Sequence, residues 1–221
     1  MERTAFLARL GGARPGPALP DVTALPDVHT ELRAGEDPFT RFAAELADVS
    51  GTCEQCSPDA VPAAVVAALG AARAVALADD LGAFTGPVRE ALAAAGLEPV
   101  AYAEVAADRE RLGALEATVT GCAVAVASTG SIMTTAGAGR AAALIAPLHV
   151  CVVAAGQLVG GLAEALQRMP AGSMAALQSG PSRTADIEKT LILGMHGPGA
   201  THVILADRPL PEFLDPSPET A

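Results

Sequence analysis

The sequence alternates short apolar runs with segments of helical length, and this alternation constrains the fold most strongly. The apolar runs are Arg73–Ala78, Ala123–Ala127, His149–Ala154 and His202–Ala206, and shorter strands are predicted at Pro99–Ala103 and Ala175–Gln178. Short aliphatic runs bounded by turn residues are typical of buried strands. Helical spacing or alanine-rich composition predicts helices at Asp37–Val49, Asp59–Leu69, Thr85–Ala95, Ala106–Leu115 and Leu162–Arg168. We therefore expect an α/β fold in which helices cover a parallel or mixed sheet.

Composition narrows the classes of function. The chain of 221 residues has a formal net charge of -11, and only 3% of its residues are aromatic. The negative charge disfavours binding to a phosphate backbone, so no nucleic-acid partner is expected. We find no apolar run of about 18 residues, which a membrane span requires, and we expect a cytoplasmic protein. Four cysteines do not make a disulfide framework.

The chain divides into three parts by composition. Residues 1–36 are rich in proline and glycine and predict an N-terminal arm, which is either extended or packed on a partner. Residues 37–206 carry the strand and helix pattern and predict one domain. Residues 207–221 contain four prolines and predict an extended tail.

A first candidate site is the turn Ser128–Ser131, between the apolar run Ala123–Ala127 and a returning antiparallel strand at Ile132–Thr135. Hydroxyl and glycine residues at a strand end often bind ligands in α/β proteins. The pattern fits an ordinary connection equally well. We take Ser128, Thr129, Gly130 and Ser131 as candidate ligand contacts.

The polar run Ser179–Thr190 is the strongest candidate site. Its hydroxyls and backbone amides, with the charges of Arg183 and Lys189, can hold a phosphate or a carboxylate. Its acidic residues can orient Arg183 or act as a base; alternatively, the run starts a helix, with Ser182 or Thr184 as the cap. The candidate ligand contacts are Ser179, Gly180, Ser182, Arg183, Thr184, Glu188 and Lys189, and Asp186 is a candidate catalytic residue.

Other polar residues give weaker signals. His196 lies in a glycine-rich loop, where it either handles protons or bonds the turn, and we take it as a second candidate catalytic residue. His149 and His202 open apolar strands and are expected to be structural. Cys53 and Cys56 form a CxxC pair without a second ligand pair, so we favour a plain loop over a metal or redox site, and we expect no metal in this chain. Asp79 and Asp80 are expected to form a turn rather than a cation site.

Several of these segments together resemble a known family. They are Ser128–Ser131 after an apolar strand, His149–Val153, the run Ser179-Gly180-Pro181-Ser182-Arg183-Thr184-Ala185-Asp186-Ile187-Glu188, His196-Gly197-Pro198 and His202–Leu205. In this order they are similar to the LUD domain, the family of lactate utilization protein C (LutC/YkgG). The resemblance covers roughly residues 37–206 and is most specific at 179–205.

The resemblance implies a fold like the NagB/RpiA/CoA-transferase group, a three-layer arrangement with a mixed sheet between helices. It implies a subunit of a system that oxidises L-lactate to pyruvate, acting with iron–sulfur partner proteins and binding a small anionic ligand. The iron–sulfur clusters are expected on the partners, with no cofactor in this chain; self-association stays open. Family members commonly carry glutamate where this chain has Ser128, so a glutamate nucleophile is unavailable there. The alternative is an autonomous ligase or transferase that uses a phosphorylated or CoA-type ligand.

Overall fold

The computed structural model describes residues 32–135, 141–169, 174–185 and 191–208. Its helices are α1 (Pro38–Asp48), α2 (Val61–Leu69), α3 (Thr85–Ala94), α4 (Tyr102–Val105), α5 (Arg109–Gly113) and α6 (Leu162–Gln167). Its strands are β1 (Thr52–Cys56), β2 (Val75–Leu77), β3 (Val100–Ala101), β4 (Ala117–Thr120), β5 (Val124–Val126), β6 (Ser131–Thr135), β7 (Leu148–Val153), β8 (Leu158–Val159), β9 (Ala175–Gln178), β10 (Arg183–Ala185), β11 (Leu191–Leu193) and β12 (Ala200–Ala206).

The first sheet is parallel and has the strand order β1-β12-β7-β4-β2-β3. Its central strands are aliphatic because both of their faces are covered. On one face, valines and leucines of α2 and α3 pack against β2, β4, β7 and β12. On the other face, α4 covers β2 near one edge of the sheet. The expected sheet between helices is therefore confirmed.

A second sheet covers the rest of that other face, with the order β8-β5-β6-β9. Strands β5 and β6 pair antiparallel across the Ser128–Ser131 turn, as the sequence predicts. Ala125 and Ile132 pack towards the first sheet, with Phe42 and Leu46 of α1 in the same cluster. The neighbouring residues Val124 and Met133 pack against α6 instead. The second sheet thus lies between the first sheet and α6.

Helix α1 begins as the sequence predicts. The Asp37 side chain accepts a hydrogen bond from Thr40 N at 2.8 Å, and proline occupies the first turn. Phe42 and Leu46 are almost completely buried. Their spacing of four residues places both side chains on one face of the helix. This face holds α1 against the core that the two sheets share.

Three predicted elements differ from the structure. The segment around Cys53 and Cys56 is strand β1 rather than a loop, because its backbone pairs in parallel with β12 from Thr52 to Cys56. The predicted strand at 99–103 is reduced to Val100–Ala101, since α4 starts at Tyr102. The alternative interpretation of a helix start at Ser182 or Thr184 is wrong, because Arg183–Ala185 forms strand β10, which pairs antiparallel with β11.

Candidate functional site

The two predicted polar segments meet in the structure. Ser131 Oγ lies 2.6 Å from Ser179 Oγ, and Thr129 Oγ1 donates to Ser131 Oγ at 2.8 Å. Ser131 is fully buried, Thr129 is half-buried and Ser179 is exposed. The three hydroxyls therefore form a hydrogen-bonded chain between the interior and the surface. The register of the sheet explains this contact, because β6 and β9 pair antiparallel with Ile132 opposite Gln178.

Two glycines bring both turns close to the end of α1. Gly130 has a φ of +59°, and a Cβ there would collide with the backbone of Glu45 and Leu46. Gly180 has a φ of +71°, and a Cβ there would lie 2.8 Å from Val49 Cγ2. Glycine adopts these left-handed conformations without steric cost and permits the close approach. Both residues are buried, so packing against α1 explains their identity; a role in ligand binding stays a prediction.

Ser128 is buried at the start of its turn. Its backbone N–H donates to Gly160 O at 3.1 Å, and within the described part of the chain its hydroxyl has no hydrogen-bond partner. The side chain is 7% exposed. A hydroxyl held in this way is not positioned to reach a ligand at the surface. The predicted contact at Ser128 therefore has no geometric support beyond its place in the turn.

Arg183 lies at the start of β10 and is exposed. Its Nη2 donates to Ser50 Oγ at 3.0 Å, which ties the hairpin to the residues that follow α1. No ion pair involves Arg183 among the residues that the structure describes. Ser182 and Thr184 flank it and are half-buried. A guanidinium beside hydroxyl groups can bind a carboxylate or a phosphate.

His196 lines an open cleft of about 410 Å³ next to this hairpin. Backbone bonds join the two features, since Ser182 N donates to Pro198 O at 2.8 Å and Gly194 N donates to Ser182 O at 2.9 Å. The cleft also presents the apolar side chains Leu144, Ile145, Leu193 and Met195. The structure therefore places the His196 loop directly against Ser182. The other predicted residues of this site, Asp186, Glu188 and Lys189, lie outside the described residues.

A buried polar layer between the two sheets was not predicted as a unit. Thr120, His149, Gln178 and Thr201 are all at most 9% exposed. His149 Nε2 lies 2.8 Å from Thr120 Oγ1, and Gln178 Nε2 donates to Thr201 Oγ1 at 3.2 Å. Burial lowers the pKa of His149 to about 4, while the Gln178 side chain acts in the opposite direction. The prediction that His149 is structural agrees with this burial.

One weak signal for this layer is present in the sequence. Gln178 ends an apolar strand and directly precedes the Ser179-Gly180 turn. A long amide side chain at the end of a strand can reach the backbone of the following turn. In the structure, Gln178 Nε2 lies 3.4 Å from Gly180 O.

Asp80 and the CxxC cysteines are not part of this site. Asp80 Oδ1 accepts a hydrogen bond from Gly121 N at 2.7 Å, a residue 41 positions away, so its side chain holds two distant segments together instead of capping a local turn. Burial raises the pKa of Asp80. Burial and the Glu54 carboxylate raise the pKa of both Cys53 and Cys56. Among the described residues, no group of three potential metal ligands comes together.

Comparison with known proteins identifies the family. Residues 83–206 match the LUD domain, and the chain belongs to the LUD domain family. A lactate utilization protein C of Deinococcus radiodurans is 37% identical over 114 residues, which cover 48% of this chain and 50% of that protein. A lactate utilization protein C of Macrococcus caseolyticus is 31% identical over 96 residues, covering 38% and 42% of the two chains.

Two further similarities agree with this assignment. An uncharacterized protein of Neisseria meningitidis serogroup B is 33% identical over 141 residues, covering 58% of each chain. A crystal structure of a duf162 family protein from Deinococcus radiodurans superposes with a TM-score of 0.53 at 26% identity, covering 76% of this chain and 96% of that one. The aligned regions span about half the length of the curated relatives. In the described ranges, no helix has the length and apolar character needed to cross a membrane.

Proposed function

We propose that this protein is a cytoplasmic subunit of a system that oxidises L-lactate to pyruvate. Two of its relatives are named lactate utilization protein C, and the LUD domain covers residues 83–206. In this proposal, iron–sulfur partner proteins carry the electrons. This chain binds a small anionic ligand of the pathway, a 2-hydroxy or 2-oxo carboxylate.

The observation that carries the ligand proposal is the position of Arg183. Its guanidinium is exposed at the start of β10, is held by Ser50 Oγ at 3.0 Å, and follows the Ser179–Ser182 turn directly. A guanidinium offers two parallel N–H donors to a carboxylate, and hydroxyls nearby can add further hydrogen bonds. Ser182 supplies one such hydroxyl, and it packs against Gly197 beside His196. We assign the carboxylate to Arg183 and place the rest of the ligand in the His196 cleft.

His196 would then contact the hydroxyl or keto oxygen of the ligand. An imidazole can donate to a keto oxygen or accept from a hydroxyl group, so it suits both lactate and pyruvate. The apolar wall of Leu193 and Met195 suits the methyl group of these molecules. Lys189 follows in the chain and adds a positive charge to the same segment.

A binding experiment tests the site. We would titrate L-lactate, pyruvate and inorganic phosphate into the purified chain by isothermal calorimetry, and repeat the titrations with Arg183→Ala. Loss of a charge-assisted hydrogen-bonded pair of about 1.5–3 kcal/mol corresponds to a roughly 10- to 160-fold weaker Kd. Arg89→Ala is the matched control, because Arg89 is an exposed arginine on α3. Equal affinity in wild type and Arg183→Ala, or no binding of either carboxylate, would overturn the ligand proposal.

A growth experiment tests the pathway. We expect deletion of the gene to slow growth on L-lactate as the carbon source but not on glucose. The wild-type gene and Arg89→Ala should restore growth, and Arg183→Ala should not. Unchanged growth on L-lactate after deletion, in a strain without a second copy of the family, would refute the pathway assignment.

A further inference from the structure

In the buried polar layer between the two sheets, the hydrogen-bond pattern depends on which ring nitrogen of His149 carries the proton. We use the name His149 network for Thr120, His149, Gln178 and Thr201. Within the described residues, His149 Nδ1 and Gln178 Oε1 are buried and have no hydrogen bond of normal geometry. Gln178 Nε2 donates to Thr201 Oγ1 at 3.2 Å, and Thr201 lies opposite His149 in the register of β12 and β7, so the Gln178 amide lies beside the His149 ring. Since His149 Nε2 bonds Thr120, Nδ1 is the ring nitrogen that is left for Gln178.

Thr120 has one hydroxyl proton and two neighbours that could accept it. Its Oγ1 lies 2.8 Å from Gly121 O and 2.8 Å from His149 Nε2. If the proton goes to Gly121 O, His149 must donate from Nε2, and Nδ1 becomes an acceptor next to an amide whose oxygen also lacks a donor. Two buried acceptors without donors are costly.

The other arrangement gives each of these buried acceptors a neighbouring donor. The Thr120 hydroxyl donates to His149 Nε2, and the ring proton sits on Nδ1 and is directed towards Gln178 Oε1. Gly121 O keeps a donor, because the Cys151 thiol lies 3.5 Å from it. A flip of the Gln178 amide would be costly, because Nε2 donates to Thr201 Oγ1 at 3.2 Å and to Gly180 O at 3.4 Å, and an oxygen in its place could not donate to the carbonyl.

We propose that His149 is a positioning residue: its neutral imidazole, protonated at Nδ1, joins Thr120 to Gln178 and thereby fixes the Ser179–Ser182 turn. Gln178 carries the effect, since it contacts both Thr201 of the first sheet and the Gly180 carbonyl of the turn. The network thus connects the core to the residues that precede Arg183. The part that concerns ligand affinity rests on the proposed function, whereas the tautomer and the turn geometry do not.

The tautomer is measured directly by NMR. The chain has four histidines, and a long-range ¹H–¹⁵N spectrum of ¹⁵N-labelled protein near pH 7 distinguishes their ring tautomers. The His149 signals are identified by their loss in His149→Asn. We expect a protonated Nδ1 and an unprotonated Nε2. A protonated Nε2 with a free Nδ1 overturns the proposal, as does a doubly protonated ring.

The positioning effect is measured in the turn. Gln178→Met keeps the length of the side chain but removes its amide, and we expect the backbone amide resonances of Ser179, Gly180 and Ser182 to shift. The matched control is Thr118→Val, because Thr118 is buried in the same layer but bonds Ala142 O at 2.9 Å instead of the turn. We expect that control to leave the turn resonances in place. Unshifted turn resonances in Gln178→Met overturn the proposal.

Variants of His149 separate positioning from simple packing. Asparagine offers an amide N–H near the place of Nδ1–H, whereas leucine offers none. We expect His149→Asn to keep the turn resonances closer to wild type than His149→Leu does.

The link to ligand affinity is measured separately. We expect Gln178→Met to weaken pyruvate binding about five- to tenfold. If wild type binds no carboxylate, the ligand proposal fails alone, and the tautomer and turn resonances still decide the role of His149. Wild-type affinity in Gln178→Met overturns the link to the site.

Discussion

Ser131 Oγ and Ser179 Oγ lie 2.6 Å apart and join two turns that are 48 residues apart in the chain. Ser131 is fully buried, so its hydroxyl depends on protein partners, namely Ser179 and Thr129. The contact fixes the end of β9 relative to β6. It therefore sets the position from which the Ser179–Ser182 turn begins.

We expect Ser131→Ala to lower the free energy of unfolding by about 1–2 kcal/mol, because it removes a buried hydrogen-bonded hydroxyl. Ser179→Ala should cost less, since Ser179 is exposed and water can replace its partner. Urea unfolding of both single variants and the double variant measures the coupling between the two hydroxyls, which should be positive. Ser57→Ala is the control, because the Ser57 side chain makes no capping hydrogen bond. Strict additivity of the two serine variants would contradict a direct bond.

Gly130→Ala should destabilise the protein more than an alanine replacement at a left-handed glycine with open space around it, such as Gly96. A Cβ at Gly130 would meet the backbone of α1, and the φ of +59° adds strain. Gly96 has a similar φ of +76° but no atom within 4 Å of its would-be Cβ. We expect about 1 kcal/mol for Gly96→Ala and at least twice that for Gly130→Ala. Thermal and urea unfolding provide the comparison, and equal losses would show that α1 moves away without cost.

Stability should fall as the pH drops from about 6.5 to 4, and His149 should cause part of this fall. Burial lowers the pKa of His149 to about 4 from an ordinary value of 6.5. Between these values the unfolded chain binds a proton that the folded chain does not, so acid favours unfolding. The contribution of His149 to the loss in free energy of unfolding reaches about 3 kcal/mol near pH 4.

The control for this prediction is His149→Asn, which cannot titrate in this range. Urea unfolding at several pH values should give a shallower dependence for that variant than for wild type. The comparison of slopes remains valid even if the variant is less stable overall. Parallel curves for the two proteins would mean that His149 does not carry the pH dependence.

The thiols of Cys53 and Cys56 should react slowly with iodoacetamide near neutral pH. Burial, followed by the Glu54 carboxylate, raises the pKa of both, which lowers the fraction of reactive thiolate. Cys122 and Cys151 are buried and should be labelled only on unfolding. Mass spectrometry against urea-unfolded protein measures all four rates. Labelling of Cys53 or Cys56 faster than that of the unfolded chain would point back to a redox role for the CxxC pair.

The elements with a clear period were predictable from the sequence. The α1 helix, with its Asp37 cap and apolar face, appears within one residue of its predicted bounds, and β9 has the predicted bounds. The β5–β6 hairpin followed from two apolar runs separated by a short glycine turn. These features depend on local sequence, which explains why local patterns identify them.

Strands β1 and β10 were not predictable in the same way. Thr52–Cys56 has few apolar residues and forms a strand because β12 offers it a parallel edge about 150 residues away. The stretch after Ser182 carries helix-capping residues, yet Arg183–Ala185 pairs with Leu191–Leu193. Tertiary pairing overrides local preference in both places.

The candidate site was predicted in part. The sequence identified the Ser131 and Ser179 turns, and the structure joins them. The packing of Gly130 and Gly180 against α1 could not be predicted from the sequence, because the partner residues are remote along the chain. The role of Gln178 also depends on a remote contact, with Thr201 across the two sheets.

The place of β12 between β1 and β7 has a consequence for biosynthesis. On a ribosome, β1 and β7 emerge long before residue 206, and until then neither has its common neighbour. The nascent chain must therefore keep β7, with its buried valines, from pairing with foreign strands. Closure of the first sheet is a late, long-range event, so we expect the pairing of β12 with β1 and β7 to limit the rate of refolding.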